Sequence, residues 1–318
     1  MSWLASEEDV VGLDMSDGIV TATRVRIGRD GTLSLRNAGW VEVPAGVADR
    51  EQAAAIRRLW RQSGMTSLTV CASFRGRSGT VRYFKYPALK RDELESALRL
   101  EAEETLQLPP AEIALDWHLN PAGPAAASVT GSRPYEGLLV AAPRKDVDEF
   151  LALLRMAGLY PVTLDLGATA VCNLFCALHS EPKATQEVCL VHLTRQCADI
   201  AVLFEGRGIY ARTVYARGKD WDASLDLLAE GIKEALKYYE FKLRRSPPGR
   251  IVLAGRMPAR SGVDTWMQTA TGVPVEMWDP LQQVVAASRR VKHLLTRAGQ
   301  LPPMAISMGL ALRRYDDA

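Results

Sequence analysis

The sequence predicts an α/β protein with two lobes, each built on a mixed sheet flanked by helices, and with an inserted α-β-β-α-β subdomain in the first lobe. A three-stranded meander near the start of the chain recurs in its second half, which indicates a duplicated architecture. Segments with strand and helix periodicity follow each meander. With 318 residues, 47% of them hydrophobic and 24% charged, the chain is long enough to bury more than one core.

The first lobe is predicted to begin with three strands joined by short turns. β-branched residues dominate the second strand, while Asp, Ser and Gly dominate the turns, as expected for hairpins. A helix with apolar Ala54, Ile56 and Leu59 follows, and Gly64 suits its C-terminal cap. The predicted strands are 10–13, 19–25, 32–35 and 68–72, and the predicted helix is 50–62.

The middle of the chain is predicted to be an inserted unit. Its first helix has an acidic outer face and stops before Pro109 and Pro110, which cannot continue a helix. The stretch 120–133 is rich in Pro, Gly, Ala and Ser and is therefore predicted to be a loop. The predicted elements are helix 90–107, strands 113–119 and 138–141, helix 144–157 and strand 161–164.

The second half repeats the opening meander. Aligning the two copies places Asp14 opposite His192 and Ser16 opposite Thr194. The predicted elements are strands 188–192, 197–204 and 209–215, helix 224–245, strand 251–255, helix 263–271, strand 273–277 and a closing helix 304–315. We therefore predict a first lobe of residues 1–85, 165–187 and 304–318, an insert of residues 86–164 and a second lobe of residues 188–303.

Charge and cysteine content exclude several classes of protein. The 39 basic and 37 acidic residues give a net charge of +2, so nucleic acid is not expected as a partner. The five cysteines show no CxxC spacing and no zinc spacing with the four histidines, so we expect buried thiols and no metal site. The acidic start lacks the basic region of a signal peptide, and no apolar run approaches the length that spans a bilayer. We therefore expect a cytoplasmic protein without direct membrane insertion.

Several segments, in a fixed order, resemble one family. The strand ending at Asp14 and its copy in the second half resemble the paired hairpins of the actin-like ATPase fold. Within that superfamily, the chain is similar to the PilM-type actin-like proteins of type IV pilus assembly. The matching segments are 11–14, 94–117, 139–143, 157–165, 198–202, 251–255, 272–281 and 307–314.

The resemblance implies a nucleotide cleft between the two hairpins. In actin-like proteins, the hairpins hold the phosphates of ATP from opposite sides, and a turn in the second lobe holds the adenosine. Carried over position by position, the residues of this cleft are Asp14, Ser16, Asp17, Gly18, Thr194, Arg195, Gln196, Asp199, Gly255 and Arg256.

The sequence departs from the family pattern at this cleft. Ser16 and Thr194 stand where glycine lets backbone N–H groups approach the phosphates. His192 replaces the aspartate that holds Mg²⁺, a cation that prefers oxygen ligands, and Arg256 replaces a glycine of the adenosine turn. Arg195 either pairs with a phosphate or fills its space and pairs with an aspartate. We therefore predict a degenerate nucleotide site with no catalytic and no metal-binding residue, and we leave the binding of ATP and Mg²⁺ open.

Two functions follow from the resemblance. The first is a scaffold, bound to the inner membrane through partners, in a type IV pilus or type II secretion-like complex. It would capture the short cytoplasmic N-terminal segment of a PilN-like membrane protein in a groove between the insert and the first lobe, and contact other assembly components. The alternative is an ATP-binding, weakly hydrolysing conformational switch in the same machinery, which would need intact phosphate loops.

Overall fold

The computed structural model describes residues 10–44, 46–74, 79–87, 89–119, 135–179, 186–216, 218, 220–256, 262–296 and 301–313. The predicted loop 120–133, the acidic residues before position 10, residues 257 and 258 after the adenosine turn and the last residues of the predicted closing helix lie outside this part of the chain.

The first lobe is built on a mixed sheet of six strands, in the order β14-β3-β2-β1-β4-β8. The central strand β1 pairs antiparallel with β2 and parallel with β4. The strands are β1 (Val11–Ser16), β2 (Ile19–Ile27), β3 (Leu33–Glu42), β4 (Thr69–Ser73), β8 (Tyr160–Asp165) and β14 (Val285–Ala286).

Helices cover both faces of this sheet. On one face, α1 (Asp49–Ser63) and α3 (Arg144–Met156) bury their apolar stripes against β1, β2 and β4. The stripe of α1 includes Ala53, Ile56 and Leu59, spaced three residues apart, and Gly64 ends the helix in the left-handed region with a φ of 68°. On the other face lie α4 (Gly167–Leu178), α7 (Arg289–Leu295) and α8 (Ala305–Leu310).

The second lobe is built on a mixed sheet of five strands, in the order β11-β10-β9-β12-β13. The helices α5 (Trp221–Leu243) and α6 (Val263–Thr271) pack on one face of it, and α4 packs on the other. Helix α4 therefore lies between the two sheets and belongs to the core of both lobes. The strands are β9 (Val188–Leu193), β10 (Cys197–Phe204), β11 (Arg207–Tyr215), β12 (Arg250–Gly255) and β13 (Val275–Met277).

A third sheet forms the insert. Its strands, in the order β5-β7-β6, are all antiparallel, and the apolar side of α2 (Arg91–Leu106) covers one face. Short 3-10 turns at Pro110–Glu112 and Pro280–Gln283 complete the connections. The strands of the insert are β5 (Thr80–Tyr86), β6 (Ile113–Leu119) and β7 (Tyr135–Pro143).

The predicted fold class is confirmed by the two mixed sheets, their helices and the inserted sheet. Within this fold, three segments join a different sheet from the one that the predicted domain boundaries assign to them. Strand β5 begins before residue 86 and joins the sheet of the insert. Strand β8 pairs with β4, so α3 and β8 extend the first lobe instead of closing the insert. Strand β14 pairs with β3, so residues 285–295, which were predicted in the second lobe, belong to the first lobe.

Candidate functional site

The carboxylate of Asp14, the fourth residue of β1, is buried and is held by serine hydroxyls. Ser16 Oγ donates to Asp14 Oδ2 over 2.7 Å, and Ser73 Oγ, at the end of the neighbouring β4, donates to Asp14 Oδ1 over 2.5 Å. The Asp14 side chain is 2% exposed. The Ser16 hydroxyl, which was predicted to contact a phosphate, thus donates its hydrogen bond to a carboxylate of its own strand.

Asp17 and Gly18 form the tip of the first hairpin. Both have positive φ, 53° and 72°, the pair of left-handed residues that a two-residue turn between twisted strands requires. The carbonyl of Gly18 accepts a hydrogen bond from the Val43 amide over 2.7 Å. The Asp-Gly pair therefore shapes the turn and ties it to the segment after β3.

Thr194 closes the turn of the second hairpin. Its buried hydroxyl donates to the Cys197 carbonyl over 3.0 Å and accepts from the amides of Gln196 and Cys197 over 3.3 and 3.0 Å. The carbonyl of Gln196 accepts from the Ala216 amide over 2.9 Å. Every hydrogen bond of this hydroxyl thus serves its own turn, the behaviour expected of a threonine in a tight loop.

The tips of the two hairpins are in direct contact. The backbone N–H of Arg195 donates to Asp17 Oδ2 over 2.6 Å. The Arg195 side chain is exposed and so does not fill a buried phosphate position. A hydrogen bond to an ionised acceptor is among the stronger kinds, and here it spans the cleft that separates the lobes in the predicted architecture.

His192 and Asp199 lie opposite each other on β9 and β10, and both side chains are buried. Asp199 Oδ1 accepts from Thr213 Oγ1 over 2.8 Å. The same carboxylate lies against Gly167, the first residue of α4, where an added Cβ would come within 2.5 Å of Asp199 Oδ2. Its negative charge is thus placed at the positive end of a helix dipole, which stabilises it.

Gly255 and Arg256 form the turn that the resemblance assigns to adenosine. Gly255 has a φ of 108°, and a Cβ there would lie 2.1 Å from the carbonyl oxygen of Leu193. The Arg256 amide donates to that same carbonyl over 2.7 Å. Glycine is required here because β12 approaches β9 so closely, while the Arg256 side chain is exposed.

Seven of the ten predicted cleft residues line two separate cavities, and Asp14, Arg195 and Asp199 line neither. Ser16, Asp17, Gly18, Thr194 and Gln196 line a cavity of about 260 Å³. A second cavity, of about 580 Å³, is lined by both lobes and includes the predicted adenosine turn. Its residues are Ile19, Trp40, Glu42, Gly255, Arg256, 277–282 and 301–305.

The hairpins as they stand do not fit the phosphates of a nucleotide. Phosphate loops offer backbone N–H groups, whereas here one such N–H is bound to Asp17 and the hydroxyls of Ser16 and Thr194 serve internal acceptors. Among the described residues, no group of three or more His, Cys, Asp or Glu side chains is arranged to hold a metal ion. We derive no chemical step through ATP or Mg²⁺.

Asp165, the last residue of β8, is a buried carboxylate that was not predicted as a site residue from the sequence. Its buried Oδ1 accepts from the Leu166 amide and from Thr169 Oγ1 over 2.7 and 2.5 Å. Arg313 Nε forms an ion pair with Oδ2 over 2.8 Å. The available signal was an aspartate that ends a strand directly before an apolar helix.

A third cavity, of about 350 Å³, lies where the insert meets both lobes. Phe74 and Leu166 line it from the first lobe, β5 and β7 from the insert, and β11 from the second lobe. Four tyrosines and two arginines contribute to its wall. These are Tyr83, Tyr210, Tyr215, Tyr238, Arg82 and Arg212.

Comparisons with known proteins place these features in context. A family model described as "Type IV pilus assembly protein PilM" matches residues 12–225. A solved PilM–PilN type IV pilus biogenesis complex is similar with a TM-score of 0.79 and 21% identity, over 96% of this chain and 98% of that chain. The ethanolamine utilization protein EutJ from Carboxydothermus hydrogenoformans has a TM-score of 0.50 and 11% identity, over 95% and 89% of the two chains.

A protein from Bacteroides thetaiotaomicron with an actin-like ATPase fold and unknown function is also similar, with a TM-score of 0.49 and 9% identity over 93% and 98% of the chains. The predicted actin-like fold is confirmed. No helix in the described part of the chain is long and apolar enough to cross a membrane.

Proposed function

The chain belongs to the family of the type IV pilus assembly protein PilM, and on that basis we propose that it is a cytoplasmic scaffold, bound to the inner membrane through partners, in a type IV pilus or related secretion-like assembly complex. It binds the cytoplasmic N-terminal segment of a PilN-like membrane protein, and its nucleotide site is degenerate. The observation that carries the proposal is the 2.6 Å hydrogen bond from the Arg195 amide to Asp17 across the cleft.

This contact opposes nucleotide binding for an electrostatic reason. A phosphate between the hairpin tips would be repelled by the Asp17 carboxylate, which is also negatively charged. To accept a hydrogen bond from the Arg195 amide, the phosphate would have to displace Asp17 from it. It would also compete with Asp14 for Ser16. The Ser16–Asp14 hydrogen bond is partly buried, and its loss costs about 1–3 kcal/mol, whereas the Arg195–Asp17 hydrogen bond is exposed and its loss costs less.

The groove proposed for the partner segment is the cavity of about 350 Å³ between the insert, the first lobe and β11. Its tyrosines offer apolar surface with a polar end, and its two arginines offer donors to peptide carbonyls and acidic side chains. A solved PilM–PilN complex shares the fold of this chain, which supports a PilN-like partner. An extended peptide that inserts alternate side chains fits a cavity of this shape.

The alternative function is an ATP-dependent switch. The cavity of about 580 Å³ favours it, because both lobes line that cavity and the predicted adenosine turn contributes Gly255 and Arg256. In this alternative, nucleotide would break the contact between the hairpins and change the affinity for the partner.

One calorimetric experiment separates the two functions. The N-terminal peptide of the PilN-like protein from the same organism is titrated into the nucleotide-free protein, with and without millimolar Mg-ATP. The scaffold proposal expects the same dissociation constant in both cases and no heat from Mg-ATP alone. A shift of more than about tenfold, equivalent to ~1.4 kcal/mol of coupling, would establish the switch instead.

Charge variants test the location of the groove. Arg82 is exposed on β5, and we expect Arg82→Glu to weaken peptide binding by about tenfold. Arg50→Glu, an equivalent reversal in the first turn of α1, should leave the affinity unchanged. Equal effects of the two substitutions would contradict this groove.

A further inference from the structure

Strand β3 lies next to the edge of the first sheet and is covered there over only part of its length. On one side it pairs with β2 from Leu33 to Glu42. On the other side, within the described residues, β14 pairs with it only at Ser34 and Leu35. The segment 37–42 is therefore an open edge whose backbone groups can accept another strand.

An apolar cavity of about 280 Å³ runs beside this open edge, and we call it the β3 groove. Its floor is Asn37–Trp40 of β3, and its walls are the last turns of α1 and the helix α7. Leu59, Leu294 and Leu301 supply most of its apolar side chains. Trp40, 38% exposed, lies at one end of the groove and also lines the cavity of about 580 Å³ between the two lobes.

The stretches that border the β3 groove contain basic but no acidic residues. Residues 37–41 of β3, the second half of α1 and all of α7 contain no Asp or Glu, and Glu42 lies beyond the groove at the end of β3. Arg290 and His293 line the groove itself, and Arg58, Arg61, Arg289 and Lys292 are exposed basic residues on the same stretches. Arg57 does not contribute, because its guanidinium donates to the Met156 carbonyl at the end of α3. Arg290 also donates to the Gln62 carbonyl at the end of α1, which holds α7 against this helix.

We propose that the β3 groove binds an extended acidic segment of a partner protein, which adds as a strand to residues 37–42. Backbone hydrogen bonds would supply part of the affinity, and alternate apolar side chains would enter the groove between Leu59 and Leu294. Acidic side chains on the other face would meet the arginines. A segment of about six residues covers the open edge, since a strand rises about 3.3 Å per residue.

Charge also decides between an acidic partner and a second copy of this chain. Pairing of two β3 edges would bring the arginines of both copies, including Arg61 and Arg290, into the same region. Like charges that face each other across strands are destabilising. The groove lies on the opposite edge of the first sheet from β8, and none of its lining belongs to the insert, so it is distinct from the groove proposed for the PilN-like segment.

The probes are three fluorescent heptapeptides with blocked ends. One alternates glutamate with valine, one alternates lysine with valine, and one is the glutamate peptide with N-methylated amides that cannot pair with a strand. In fluorescence anisotropy, we expect the glutamate peptide to bind with a dissociation constant of about 10–100 µM. The other two should bind at least about tenfold more weakly. Equal binding of the acidic and basic peptides would overturn the proposal.

Paired variants and hydrogen exchange locate the binding. Arg61→Glu with His293→Glu should weaken the glutamate peptide by at least about tenfold, whereas Arg207→Glu with Lys242→Glu, two reversals in the second lobe, should not. Thermal unfolding establishes that both double variants are folded. In the wild-type chain, the peptide should slow amide exchange in residues 37–42. Protection of another edge instead, or a dimer formed through β3, would refute the assignment.

Discussion

The five cysteines differ in how easily they can react. All are free, and four are buried, which confirms the expectation of buried thiols for these four. Burial, with the nearby charge of Asp165, raises the pKa of Cys71, and burial raises that of Cys189, each to about 12. Burial also raises the pKa of the half-buried Cys176, whose thiol donates to the Gly206 carbonyl over 3.3 Å.

We predict that only Cys176 reacts quickly with a thiol reagent in the native protein at pH 8. The reagent must reach the sulfur atom, and burial prevents this at the other four cysteines, whereas Cys176 is partly exposed. A colorimetric disulfide-exchange assay should show one fast phase, which Cys176→Ser removes and Cys189→Ser does not. A second fast thiol in the native protein would contradict this assignment.

Single residues show where sequence reasoning reaches its limit. The alignment of Asp14 with His192 corresponds to the structure, because their strand partners Thr21 and Asp199 occupy equivalent register positions. The engagement of the Thr194 hydroxyl depends on the backbone path of its own turn, which side-chain types do not define. Asp165 was missed because its ion-pair partner, Arg313, lies far away in the sequence.

Helix α8 packs so closely against strand β1 that a side chain cannot be added between them. It lies between β1 of the first sheet and α4, and Gly12 on β1 faces it directly. A Cβ at Gly12 would come within 1.8 Å of the Ser307 carbonyl oxygen, a backbone atom that cannot rotate away. Glycine is therefore needed here for close approach, even though its φ is ordinary for a strand.

We predict that Gly12→Ala destabilises the protein by at least about 2–3 kcal/mol, because the added methyl group forces α8 away from the sheet. Chemical denaturation of the purified variant measures the loss. Gly31→Ala is the control. It has a positive φ of 80° but open space around it, so only backbone strain of about 1 kcal/mol is expected. Equal stability of the two variants would show that α8 has room to shift.

Elements with strong periodicity were predicted from the sequence, and elements that depend on a distant partner were not. The amphipathic α1, α3 and α5 were predicted within a few residues of their observed ends. Strand β14 has only two residues, and β3 alone makes it a strand. Within the described residues, the predicted closing helix is only six residues long, Ala305–Leu310.

At the scale of the whole molecule, the insert contacts the second lobe as well as the first. Glu136 on β7 forms an ion pair with Lys85 on β5, and it also lies near Tyr83 and near Arg245 of the second lobe. Burial alone would raise the pKa of Glu136, but these partners outweigh it and hold that pKa below its usual value of 4.5. The ionised carboxylate therefore helps to hold the insert against the second lobe.

We predict that this contact weakens in acid. A lowered pKa means that the stabilisation is present above pH 4.5 and is lost as the pH falls through the folded-state pKa. Spin labels at Lys90→Cys and Lys237→Cys, in a Cys176→Ser background, report the distance between the insert and α5. The distribution should be narrow at pH 7 and should broaden as the pH falls below 4.5 through the folded-state pKa, and Glu136→Gln should broaden it already at pH 7.

The matched control for this experiment is Glu149→Gln on α3, which removes an exposed carboxylate that pairs with Lys145 in its own helix. It should behave like the unsubstituted protein at every pH. A Glu136→Gln variant that keeps the narrow distribution at pH 7 would show that Glu136 does not hold the insert in place.

The position of α8 between β1 and α4 also determines the order in which this chain can fold. Gly12 meets Ser307 after nearly three hundred residues of intervening chain, and β14 reaches the same sheet from residues 285 and 286. Contacts of such long sequence separation slow folding, because the loop entropy is lost before the contact forms. During synthesis, the first sheet keeps one apolar face uncovered until α8 has left the ribosome. The lobe that begins the chain is therefore among the last parts to be completed, and its exposed face is where a chaperone would bind the nascent protein.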